Sequence, residues 1–179
     1  MRHTGPAPKR VIAASTANSG KHWSDPEKTE MANPDAALTG VAQSDGRMLV
    51  ALNDSEINRE VLSLFVSSDG GASWHNIYQL EDQRGQSSDP VSYVQTTAQL
   101  ALETDNNIIN PATFATTALN NKCTDHHCNF EFSYPYLIQV RNGDFHLVYT
   151  WNRSFIKHVR FTRAWLEQRM KEAHDAESH

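Results

Sequence analysis

Ser67-Ser68-Asp69-Gly70-Gly71-Ala72-Ser73-Trp74 fits the pattern S-x-D-x-G-x-x-W, and the chain carries it twice. Thr16-Ala17-Asn18-Ser19-Gly20-Lys21-His22-Trp23 is a weakened copy in which Thr16, Asn18, Gly20 and Trp23 hold the same four places, and the two tryptophans are 51 positions apart. Each box comes after a short alternating apolar segment, Arg10 to Ser15 or Val61 to Val66, as a strand running into a turn does. The physics of the box is local. An Asp or Asn side chain accepts backbone N–H bonds across the turn, glycine adopts backbone angles denied to other residues, and the indole lies back over the hairpin. These residues therefore read as turn staples and not as catalytic groups.

A second repeat overlaps the first. Gly40 to Asn53 and Tyr136 to Tyr149 each show an apolar strand, a turn at Asp45-Gly46 or Asn142-Gly143, and another apolar strand, which is a β-hairpin signal. After each hairpin come an Asn, an Arg and a further strand: Asn58-Arg59 then Val61 to Val66, and Asn152-Arg153 then Ile156 to Phe161. Short antiparallel strands at a spacing of about 50 residues have the cadence of a β-propeller blade.

Between these units, residues 84–130 are rich in Ser, Thr, Asn, Gln and Asp. They read as a polar insertion or long surface loop, either mobile or with a short helix near Thr96–Thr104. Thr162 to Ala173 has good helix formers, Thr162 as N-cap and Phe161 placed to staple onto Leu166, which predicts a C-terminal helix. The expected division is 1–83, 84–130, 131–161 and 162–179.

Composition excludes several functions. The 179 residues carry 16 Lys plus Arg against 21 Asp plus Glu, a net charge of −5, and a mean hydropathy of −0.59, with no basic run to attract nucleic acid or an anionic membrane surface. No segment approaches the ~20 apolar residues of a membrane span. The residues after Met1 lack the apolar core of a signal peptide, so the default expectation is a cytoplasmic location. Cys123-Thr124-Asp125-His126-His127-Cys128 gathers possible zinc ligands, but adjacent His126 and His127 rarely reach one metal and no second cluster exists. A Cys123–Cys128 disulfide or free thiols remain as alternatives. His146 and His158 alternate with apolar strand residues and read as packed, hydrogen-bonded side chains.

The two boxes, Asn33-Pro34-Asp35-Ala36-Ala37-Leu38, and above all Glu131-Phe132-Ser133-Tyr134-Pro135 running on through Asp144 to Arg153 and Ile156-Lys157-His158-Val159, resemble the C-terminal part of BNR-repeat sialidases. The resemblance covers roughly residues 9–83 and 131–161. It implies an all-β fold, part of a six-bladed propeller with two to three blades present, acting on a sialylated glycan without cofactor or metal. In that family an arginine triad holds the substrate carboxylate, a Tyr paired with a Glu is the nucleophile, and an Asp is the acid/base. A phenol suits a substrate whose own carboxylate would repel a charged nucleophile.

Tyr134 matches the nucleophile, with Pro135 departing from the family's pattern. Glu131, three residues earlier, points to the opposite face of a regular strand and approaches the phenol only if the strand bulges. Arg153 is a candidate for the substrate carboxylate or a surface arginine in a hairpin turn. Arg2 matches the triad arginine that precedes the penultimate blade's box. A full six-bladed propeller needs roughly 300 residues. The resemblance thus implies that further machinery lies in other sequence or another chain, that the alternative is a non-catalytic carbohydrate-binding or interaction module, and that open blade edges favour self-association.

Overall fold

The computed structural model describes residues 5–86, 88–103, 110–124 and 127–177. Its described residues are mostly β, in three antiparallel sheets that close no barrel. The first sheet pairs β1 (Arg10–Ala13) with β2 (Glu27–Ala32). The second runs β3 (Thr39–Ala42), β4 (Met48–Leu52), β5 (Val61–Ser67) and β6 (His75–Asp82), each beside the next. The third runs β7 (Phe132–Gln139), β8 (Phe145–Trp151) and β9 (Phe155–Phe161). Both hairpins expected from the Asp-Gly and Asn-Gly turns are present, as β3–β4 and β7–β8.

The sheets are stacked in chain order. Val11 and Met31 of the first sheet meet Val50, Leu52 and Phe65 of the second, with Trp74 against them. The opposite face of the second sheet offers Leu49, Leu62 and Leu64 to Phe132, Leu147 and Tyr149 of the third. The middle sheet is covered on both sides, which is why β5 is buried at all seven positions instead of alternating.

Both boxes form the same turn. Gly71 N donates to Ser67 Oγ at 2.8 Å, Ser73 N to Asp69 Oδ1 at 2.9 Å, and Trp74 Nε1 to Gly71 O at 3.1 Å. The counterparts are Gly20 N to Thr16 Oγ1 at 3.1 Å, His22 N to Asn18 Oδ1 at 2.9 Å, and Trp23 Nε1 to Gly20 O at 3.1 Å. Glycine suits position 71 because its φ is +93°, a backbone angle that strains any other residue.

Two expectations need correction. The chain is not all-β, and residues 84–130 are not chiefly a loop. They hold α1 (Pro90–Glu103) and α2 (Pro111–Lys122), so the first helix begins six residues before the expected Thr96 and the second was not expected at all. Each starts the same way, with an Asx side chain capping the first turn and proline at the first helical position: Ser92 N donates to Asp89 Oδ1 at 3.0 Å, and Thr113 N to Asn110 Oδ1 at 3.1 Å. Cys123 and Cys128 are joined in a disulfide. Tyr93 and Phe114 attach the two helices to Trp151 and Phe155 at the end of the third sheet.

The C-terminal helix, α3 (Arg163–Glu177), is as expected at its start. Trp165 N donates to Thr162 Oγ1 at 3.1 Å, and Phe161 and Leu166 are buried in one cluster. None of the described helices is long and apolar enough to cross a membrane.

Candidate functional site

Glu131 sits immediately before β7 and is locked to the β8–β9 turn by a reciprocal pair of bonds. Its N–H donates to Asn152 Oδ1 at 2.6 Å, and Asn152 N donates to Glu131 O at 2.7 Å. Its carboxylate, 10% exposed, accepts a hydrogen bond from Ser133 Oγ at 2.7 Å and meets Arg59 Nη1 and Arg153 Nε at 3.3 Å each. Arg59 Nη1 also donates to Ser133 Oγ at 3.2 Å, so that hydroxyl accepts from the arginine and donates to the carboxylate. Two guanidinium groups thus converge on one carboxylate, with Glu60 also lining the cleft, and it is their fork geometry rather than an excess of positive charge that suits the corner to a carboxylate ligand.

Tyr134 enters through Arg59, whose Cζ lies 5.9 Å from the phenol ring centroid. The β7–β8 register shifts between Ser133 and Tyr136, so the strand bulges at Tyr134. The side chain is 55% exposed. An open cleft of about 410 Å³ is lined by Arg59, Glu131, Arg153 and their neighbours Pro34, Asn58 and Phe130.

Backbone strain marks the same corner. Five described non-glycine residues have positive φ, and four of them surround the cluster: Asp35 (+61°), Tyr134 (+55°), Asn152 (+48°) and Arg153 (+55°). Asp35 belongs here because its carbonyl accepts a 3.5 Å contact from Arg59 Nη2 and its carboxylate pairs with Lys9 at 2.6 Å. A bulky side chain in the left-handed region costs about 1 kcal/mol or more, and such residues gather where geometry serves function.

Three of the four residues expected from the sequence are described: Glu131 and Arg153 are in contact, whereas Tyr134 is linked to them only through Arg59 and is not among the residues lining the cleft. The fourth, Arg2, lies outside the described residues, as does His126. Arg59 was missed, although Asn58-Arg59 stands ahead of the second box as Asn152-Arg153 stands ahead of β9. His146 and His158 do hydrogen-bond, but to each other, Nδ1 to Nε2 at 2.9 Å, on the outer face of the third sheet rather than inside it.

Residues 1–147 match the BNR repeat-like domain. The chain belongs to the BNR repeat-like domain family. The matched span includes both boxes, Arg59, Glu131 and Tyr134, whereas Arg153, β9 and α3 lie beyond it. No curated protein matches the chain. Membership in the BNR family supports a sialidase-like or related carbohydrate-active protein.

Proposed function

We propose that this BNR-repeat chain is a sialidase-like glycoside hydrolase that acts on terminal α-linked sialic acid, and that its three sheets are successive blades of a propeller. The observation that carries this reading is the convergence of Arg59 and Arg153, from matching places after two hairpins, on Glu131, with Arg59 also reaching the ring of the bulged Tyr134. In this reading the two arginines hold the substrate carboxylate. Arg153 meets Glu131 through Nε while its side chain stays 58% exposed, leaving its outer N–H groups toward the cleft. Tyr134 Oη attacks the anomeric carbon, its proton passes to Glu131, and the C–O bond to the leaving alcohol breaks, that oxygen being protonated by an acid for which this chain's residues give no assignment. The Cys123–Cys128 disulfide favours an oxidising compartment over the cytoplasmic default.

One observation favours a second reading, a carbohydrate-binding module without chemistry. Glu131 is held by two arginine contacts and a 2.7 Å hydroxyl bond, an arrangement suited to keeping it charged. Release of a fluorogenic phenol from an α-sialoside at high protein concentration separates the two. Turnover that disappears in Tyr134→Phe supports the hydrolase, while binding of the sialoside without turnover leaves the binding module.

A further inference from the structure

Among the described residues the sheet stack has two uncovered apolar ends, and they are of opposite kind. At one end, the outer face of β7–β9 exposes Tyr136 (65%), Ile138 (41%) and Ile156 (76%). At the other, Ile12, Trp23 and Pro26 line a hollow of about 500 Å³ on the first sheet, with Trp23 62% exposed.

The chain itself shows what such faces do. Trp23 and Trp74 occupy the same place in turns with the same hydrogen bonds. Trp74 is half-buried in the cluster that joins the second sheet to the sheet before it. The first sheet therefore ends in the kind of surface that, one repeat later, is covered by a preceding sheet. Conversely, the first and second sheets each have one face covered by the next sheet in the chain, whereas the matching face of the third is open.

We propose that these ends join, so that a second copy of this chain associates head to tail, the outer face of β7–β9 on one copy seating against the Ile12–Trp23–Pro26 hollow of the next. Complementarity identifies the occupant: the molecule carries both halves of a face-to-face sheet joint of the kind it makes twice internally, once with a box tryptophan in it. The polar groups of the open face have partners, since His146 and His158 hydrogen-bond to each other, Arg160 pairs with Asp144 and Thr150 Oγ1 donates to Ser133 O, which lowers the cost of covering them. A joint between two different faces is heterologous and builds a closed ring or an open chain, unlike the isologous contact of an ordinary two-fold dimer.

The test is mass as a function of concentration, by light scattering and sedimentation equilibrium on the full chain. Expected is a rise above the monomer mass from micromolar to submillimolar protein. Tyr136→Glu at one end and Trp23→Arg at the other should each weaken association at least tenfold. Mixed, the two variants should form a heterodimer, since the intact third sheet of Trp23→Arg meets the intact first sheet of Tyr136→Glu. Ile156→Lys and Pro26→Glu repeat the experiment at the same two ends without touching the indole staple, and a thermal melt of each variant verifies folding. A chain that is monomeric at every concentration, variants that associate unchanged, or a mixture that stays monomeric overturns the proposal.

Discussion

Tyr134 and Arg153 hold the left-handed backbone that ordinarily goes to glycine, and this makes their roles separable by mutation. Tyr134→Phe keeps the ring under Arg59 and removes only the hydroxyl; turnover of an aryl α-sialoside should fall by ~10³-fold or more with the melting temperature unchanged. Arg153→Gly relieves a φ of +55°. It should hold or raise stability by about 0.5–1 kcal/mol in a denaturant titration while weakening sialoside binding. A loss of stability instead would mark the Arg153–Glu131 contact as structural. At this scale the sequence was legible where a motif is contiguous: Glu131 to Pro135 lies within five positions. Arg59 was not, because it is 72 residues from Glu131 and its importance arises only when the second and third sheets stack. Its one local signal, the Asn-Arg pair shared with Asn152-Arg153, marks a place in a repeat and not a role.

In α1 and α2 a clear start signal is masked by a weak helix body. Asp89-Pro90 and Asn110-Pro111 are cap-and-proline beginnings, yet the segments behind them are dominated by Thr, Gln, Ala and Asn, with a thin apolar stripe. In α1 the buried face is Tyr93, Thr97 and Ala101, one residue per turn. In α2 Thr116 Oγ1 bonds back to Ala112 O. Helices so poor in apolar surface rely on tertiary contacts, here the attachment to Trp151 and Phe155 and the disulfide, none of which periodicity reveals. Reducing Cys123–Cys128 should therefore cost about 2 kcal/mol and diminish the helical circular-dichroism signal while the sheets persist. α3 is the contrast: its cap, its staple and its helix formers agree, and it was legible from Phe161 onward. Thr162→Ala should cost about 1 kcal/mol and Leu166→Ala about 2–5 kcal/mol in chemical denaturation, since Leu166 is fully buried between the helix and the sheets.

For the molecule as a whole, titrating groups define a window of stability. Side-chain hydrogen bonding from Arg47 holds Asp45 at about 2, and hydrogen bonds from Ser73 and Ser67 hold Asp69 lower still. Asp82, Asp89 and Glu167 are lowered in the same direction by Arg84, Ser92 and Arg47. Unfolded carboxylates take up protons near pH 4. These contributions are complete above that value and are lost as pH falls toward 2 and below. Burial, with the 2.6 Å bond to Glu81, pushes the Tyr149 phenol far above its ordinary value. Its contribution is complete below about pH 10 and declines as the pH rises further. Melting temperatures should accordingly be flat between about pH 5 and 9 and fall on both sides; a flat acid limb would contradict the carboxylate assignments. The two boxes divide within this window. Their hydrogen bonds coincide, but the first is built on Thr16 and Asn18, which do not titrate, and the second on Ser67 and Asp69, whose carboxylate does. Acid thus acts unequally on the two boxes: the exchange protection of the Ser73 amide should fall relative to that of the His22 amide, which is bonded to the Asn18 side chain, as Asp69 takes up its proton.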